Sequence, residues 1–221
     1  MAESLPEPLL AFEGFSFVEL DRAAELALAY RQHRLEGRIL PNTLEAIRVE
    51  LTYHSNALEG STLTLRDTQL IVEGREPNTG KSLREIYEAR NHDRALRRIE
   101  ARATQPATFA ESDLLAIHAD VMADIDPAGA GCYRADRVLI TGTRFVPPGP
   151  HKFPALMPVI VERTKTAGLH PVLQATEHHD NLIAVHPVAD GNGRTARLAM
   201  NAHLLRHGYS PAIVPVERRP D

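Results

Sequence analysis

Apolar residues fall three and four positions apart along most of this chain, and Gly and Pro interrupt the rhythm at intervals that suit helices rather than strands. Residues 1–20 hold two prolines and little periodicity, and read as an arm. The run 21–37 places Ala23, Leu26, Ala27 and Tyr30 on one helical face. A second helix is predicted after Pro41, with Asn42 or Thr43 as N-cap and a stripe of Leu44, Ile47 and Leu51, ending at Gly60. Helices over 64–73 and 82–103 follow, parted by the turn-rich EGREPNTGKS, and then one over 112–123 capped by Ser112 or Asp113. Residues 171–185 repeat Val172, Ala175, Leu182 and Ile183, and Pro187 stops them. Beyond, Thr195, Leu198, Ala199, Ala202 and Leu205 form a last stripe, with Gly208 where a left-handed C-cap residue belongs. One stretch departs from the pattern. RVLITGTRFV, 137–146, has β-branched and aromatic residues flanking Gly142 and closes on Pro147 and Pro148, which predicts a short hairpin. An open hairpin edge can bind an extended peptide by adding a strand. The predicted fold is all-α with a small β-hairpin flap.

Composition narrows the class without choosing a function. The 221 residues can bury a full core and fit one domain, or one domain with a small appendage, read as an arm and helix over 1–40 and a main domain over 41–221. Hydrophobic content of 43% and charged content of 24% are those of an ordinary globular protein. A net charge of −4 gives no general drive toward nucleic acid. Cys132 is the only cysteine, which excludes an intrachain disulfide and a Cys-rich zinc site. No apolar stretch reaches membrane-spanning length and MAESLPEPLL lacks the form of a signal peptide, so a reduced, cytoplasmic setting is expected. Oligomeric state is left open.

The chemistry concentrates in HPVADGNGRTAR, 186–197, a short loop that opens the last helix. Gly191, Asn192 and Gly193 can turn successive backbone N–H groups toward one point, and the helix N-terminus adds its partial positive charge. This makes an anion cradle. Arg194 and Arg197 share a face in the first turn, where the dipole disfavours a cation by about 0.3–1 kcal/mol, a penalty that a bound anion reverses. Asp190 supplies a hard oxygen of the kind that holds Mg²⁺ against phosphate oxygens. His186 has a side chain that titrates near neutrality, as a general base requires. In SNALEG, 55–60, Glu59 stands at a helix C-terminus, where negative charge is equally misplaced. A partnership of Glu59 with one of the two arginines and a solvated Glu beside a Gly cap both fit the spacing.

These segments resemble a known family. HPVADGNGRTAR looks like the Fic signature HPFx[D/E]GNGRxxR, and SNALEG resembles the family's inhibitory motif, [S/T]xxxE[G/N], placed ahead of the signature. EGSTLTLRDT, REIYEARNHDRAL, CYRADRVLITGTRFVPP and LLRHGYSP are similar in order and spacing, so the resemblance runs from about Leu44 to Glu217. It implies a helical domain that transfers AMP from ATP to a Tyr, Thr or Ser hydroxyl of a protein target, or removes it. By similarity His186 deprotonates that hydroxyl and Asp190 holds Mg²⁺. Asn192 contacts the α-phosphate, while Gly191, Gly193 and Arg194 stabilise charge toward the pyrophosphate. Arg197 takes the γ-phosphate or, in an inhibited state, Glu59, with Ser55 orienting an inhibitory helix over 42–59. The hairpin at Ile140, Thr141, Gly142 and Thr143 clamps the target backbone. Two departures stand out: Val188 replaces the motif phenylalanine, and the chain stops at Asp221, where relatives typically carry at least one more helix.

Competing readings differ in class. His178, His179, Asp180, His186 and Asp190 suggest a metal-dependent phosphohydrolase, which leaves the Gly-Asn-Gly loop unexplained. A permanently closed cradle would make the chain a non-catalytic interaction module, gated by nucleotide. Transfer of a different phosphate-containing group, as in the Doc kinase branch, goes with an altered Gly-Asn-Gly-Arg run, which here is complete.

Overall fold

The structure is a computed structural model describing residues 17–77, 80–105, 108–140, 143–165 and 168–218. Among them lie eight α-helices, two 3-10 turns and no strand. The helices are α1 (Phe17–Leu35), α2 (Pro41–Ala57), α3 (Leu65–Val72), α4 (Leu83–Ala103), α5 (Glu111–Met122), α6 (Phe153–Arg163), α7 (Pro171–Val185) and α8 (Asn192–Arg206).

α8 is the axle. Its apolar stripe of Leu198, Ala199, Ala202 and Leu205 is buried, and so are Asn192, Arg194, Thr195, Asn201 and His203 on its other sides. A helix enclosed all round must be surrounded by others, and α7, α4, α5 and α2 pack about it. Leu96, Ile117, Met157, Ile160 and Leu198 are fully buried at the centre, each stabilising the fold by about 1.5–3 kcal/mol relative to exposure. Beyond α8, Gly208 adopts φ 83°, and the Gly208 and Tyr209 N–H groups return to the Leu205 and Leu204 carbonyls at 3.0 Å, as the glycine stop predicts.

Helix starts follow local chemistry. Thr64 and Ser82 cap α3 and α4 in reciprocal boxes with Asp67 and Glu85. α2 corrects the expected cap: Leu40 is the N-cap and makes no side-chain bond, while Pro41 occupies the first turn and leaves Asn42 and Thr43 inside the helix. α5 begins at Glu111, and Asp113 acts from within the first turn by accepting the Ala110 N–H at 3.0 Å. α1 begins earlier than expected, with Leu20 and Ala27 buried but Leu26 54% exposed.

Two stretches differ from expectation. The hairpin over 137–146 is not present among its described residues, and Thr141 and Gly142 lie outside them. Two short strands with no third to pair against are marginal, and the segment's two ends are instead held by a side chain described below. α6 had no sequence signal because Pro150, Pro154 and Pro158 crowd it. Pro154 falls in the first turn, where no N–H is needed, and Pro158 is carried inside the helix, with Phe153, Met157, Ile160 and Val161 facing the core.

Candidate active site

α7 ends by turning the chain left-handed at His186, with φ 50° and ψ 58°. No other non-glycine among the described residues has positive φ, and the conformation costs about 1–2 kcal/mol. It is fastened from outside. The Arg134 guanidinium donates to the His186 carbonyl at 2.7 Å, and the Arg134 N–H donates to Pro187 O at 3.0 Å. The His186 Nδ1 lies 3.3 Å from the Ile183 carbonyl. A proton on Nδ1 leaves Nε2 open to accept another. Burial lowers the His186 pKa, with the Ile183 carbonyl opposing, the Arg134 charge assisting and Glu59 opposing. The ring is therefore neutral at pH 7, the state a general base needs.

The loop closes on itself through Asn192. Val188 N–H donates to Asn192 Oδ1 at 3.1 Å, and Asn192 Nδ2 donates to the Val188 carbonyl at 2.8 Å. This side chain is thus engaged in shaping the loop. Val188 is buried beside Leu114, Leu182, Pro187 and Thr195, where a void of about 10 Å³ remains. The valine's neighbours have nearly filled the place of a phenyl ring, and Thr195 Oγ1 is left without a hydrogen-bond partner. Gly191 has φ 75°, and a Cβ there would meet Met122 Sδ at 3.2 Å and Val121 at 3.3 Å. His118 braces the loop from below. Its Nδ1 accepts the Gly131 N–H at 3.1 Å, so Nε2 carries the proton and donates to the Asp190 carbonyl at 3.1 Å.

Asp190 projects its carboxylate to the rim, where Arg84 of α4 donates to it and Arg194 lies 3.4 Å away. Burial alone would raise its pKa, but Arg194, the Gly191 N–H and Arg84 hold it below the ordinary carboxylate range. Arg194 is 2% exposed. Its Nη1 lies 3.2 Å from Glu88 without hydrogen-bond geometry, and its Nε has no partner. A buried guanidinium with unused N–H groups at a helix N-terminus is equipped for an oxyanion.

Across the cradle, α2 brings Ser55 onto Arg197, and the turn after it brings Glu59, because the helix expected over 42–59 ends at Ala57. The Arg197 guanidinium donates to Glu59 Oε1 at 2.6 Å, to Ser55 Oγ at 3.0 Å and to the Ser55 carbonyl at 2.8 Å. Glu59 lies so close over Gly193 that a Cβ there would strike its carboxylate and Arg197 Nη1. Beneath the pair, buried His92 meets Thr52 at 3.1 Å. Burial, and then the charges of Arg197 and Arg194, lower its pKa to about 3.

His186, Asp190, Gly191, Asn192, Gly193, Arg194, Arg197, Ser55 and Glu59 therefore converge. Ile140 and Thr143 lie in no helix or strand, with Thr143 Oγ1 accepting the Phe145 N–H at 3.1 Å. Arg84, Glu88, His118 and Arg134 complete the site, and the sequence discloses no role for them. REIYEAR, which holds Arg84 and Glu88, and CYRADR, which holds Arg134, carry the family likeness, while His118 lies in neither; the contacts that bring them to the loop are long-range. The phosphohydrolase reading finds no metal centre: among the described residues no three His, Cys, Asp or Glu side chains gather. His178 is instead buried edge-on to Phe109, and His179 pairs with Asp180. No helix among the described residues is long and apolar enough to cross a membrane.

Comparison with known proteins gives a consistent result. Residues 108–204 match the Fic/DOC family. The protein adenylyltransferase Fic of Drosophila persimilis is 39% identical over 170 residues, covering 76% of this chain and 33% of the relative. That of Drosophila melanogaster is 38% identical over the same length. The chain thus spans about a third of the length of these curated relatives. Among solved structures, a Fic-domain signaling protein from Bacteroides thetaiotaomicron superposes with a TM-score of 0.76 at 28% identity, covering 90% of this chain and 77% of that one. Fic-1 from C. elegans superposes at 0.71 and 29% identity, covering 90% and 62%.

Proposed function

We propose, from a chain whose residues 108–204 match the Fic/DOC family, that it is a protein adenylyltransferase, moving AMP from ATP to a hydroxyl side chain of a protein target. The observation that carries this reading is the convergence of a neutral His186 with a cradle whose buried Arg194 keeps unused donors. In the reaction the target oxygen attacks the α-phosphorus, the bond from that phosphorus to the bridging oxygen breaks, and pyrophosphate leaves. The hydroxyl proton passes to His186 Nε2. The Gly191 turn and the first N–H groups of α8 receive the phosphate chain, and Arg194 offsets charge growing on the leaving group. Asn192 keeps the loop in shape through Val188.

Asp190 suits Mg²⁺: a single ionised carboxylate at the rim beside a phosphate cradle is how that ion is usually held. Bound there, it would neutralise phosphate charge, and Arg84, more than half exposed, would yield the carboxylate. Arg197 is suited to a terminal phosphate, so the Glu59 contact reads as self-inhibition by α2. The exposed Leu139, Phe145 and Val146 lie on the stretch whose ends Arg134 ties to His186, and suit contact with a target chain. A reduced, cytoplasmic setting fits the single exposed Cys132.

The test is transfer of label from α-labelled ATP with Mg²⁺, read as self-labelling. Glu59→Gly should exceed the wild type by about 5–150-fold, the range of a coupling of 1–3 kcal/mol. Adding His186→Ala should abolish transfer while nucleotide still binds. Equal labelling by wild type and Glu59→Gly would remove the inhibitory role, and undiminished labelling after His186→Ala would remove the base.

A further inference from the structure

We propose that Arg134 is a positioning residue that ties the catalytic base and both ends of the 136–148 segment to one another, so that the target-facing surface and His186 hold a single register. The inference rests on the adenylyl transfer reading for its kinetic arm only.

Arg134 is 5% exposed, and among the described residues no carboxylate pairs with it. Its donors go to main-chain carbonyls: Nε to His186 at 2.7 Å, Nη2 to Pro148 at 2.7 Å and Nη1 to Asp136. The guanidinium also lies 4.9 Å from the centre of the Phe153 ring, at the start of α6. A buried cation without a counter-ion is costly unless every donor is used. Here each of the three guanidinium nitrogens donates to a main-chain carbonyl, Nη2 also to Val185 at 3.5 Å, and the planar fork joins separate points of the chain. Asp136 and Pro148 bound the stretch that carries the exposed Leu139, Phe145 and Val146. With no strand pairing among its described residues, that stretch is closed at its base by Arg134. The third carbonyl belongs to His186, whose left-handed backbone needs an external hold. Lysine keeps the charge but cannot donate along three fixed directions.

The first readout is hydrogen exchange on the whole chain without nucleotide. Arg134→Lys should speed exchange in both 143–149 and 186–191, and leave α4 and the later turns of α8 as in the wild type. The second is kinetic, in the Glu59→Gly background. There kcat should fall about tenfold to a hundredfold, as for a base displaced by about 1 Å, with nucleotide affinity changed less than about twofold. Arg134→Gln also removes a charge that faces His186 together with Glu59, so its acid limb in the pH–rate profile should move upward relative to Arg134→Lys. A purely structural role would lower the melting temperature and leave kcat of the folded enzyme unchanged. Should Arg134→Lys not fold, Phe153→Leu, which removes the ring beneath the guanidinium, should give the same pattern in weaker form. Faster exchange in only one of the two segments, or an unchanged kcat, overturns the proposal. If Glu59→Gly transfers nothing, the function reading fails while the exchange experiment still decides the role of Arg134.

Discussion

At Gly193 two occupants compete for the same space. A methyl group there would meet the Glu59 carboxylate and Arg197, so Gly193→Ala should break the Glu59–Arg197 contact as Glu59→Gly does. The two differ in what they leave behind, because the new methyl stays in the cradle. Calorimetry should show ATP affinity retained in Glu59→Gly and lowered by about tenfold or more, over 1.4 kcal/mol, in Gly193→Ala. Val188 gives a second contrast. Restoring the usual phenylalanine requires far more room than the void of about 10 Å³ beside it, so Val188→Phe should cost about 1–3 kcal/mol in urea unfolding through overpacking. The residues of the cradle were legible because they lie within twelve positions and their chemistry is local. Arg134 and His118 were not. They act on carbonyls 52 and 72 residues away, and a carbonyl leaves no mark in the side-chain sequence.

Between elements, the capping of α4 connects stability to the proposed self-inhibition. Glu85 accepts from Ser82 at the helix start, and also from the Thr62 N–H and hydroxyl, both at 2.7 Å. Thr62 lies just beyond Glu59, so one carboxylate pins the end of the α2 turn to α4. These bonds, the Thr62 N–H first, lower its pKa to about 2. The stabilisation is present above the ordinary carboxylate range and is lost as pH falls toward that value. Glu85→Ala should cost about 1–2 kcal/mol by thermal or urea unfolding, and self-labelling should rise to a level between wild type and Glu59→Gly. Helices with a polar cap and an apolar stripe, such as α3, α4 and α7, were readable from pattern. α6 was hidden by prolines that tertiary packing accommodates. The expected hairpin had the right residue types, but strand propensity reports a fit to a neighbouring strand, and no such neighbour exists among the described residues.

Across the whole molecule, buried histidines set the acid limit of the fold. His92 and His178 are held neutral, with burial the main cause and pKa values of about 3 and about 4. Unfolded, each titrates near 6.5. A lowered histidine pKa means the unfolded chain takes up protons first, so stability is full above about 6.5 and declines as pH falls below it. Each group contributes a slope of about 1 kcal/mol per pH unit. Urea midpoints measured from pH 7.5 down to 5 should be flat at first and then fall, and His178→Phe should shallow the decline. Composition could not foretell this, since eleven histidines in the sequence say nothing of which lose water.

His186 carries a consequence of another kind. Its left-handed backbone is one that glycine or asparagine adopts more readily. Under selection for thermal endurance alone, the imidazole would be among the first side chains discarded. On the proposed role of His186 as base, a histidine stands there for its chemistry and against the preference of the chain.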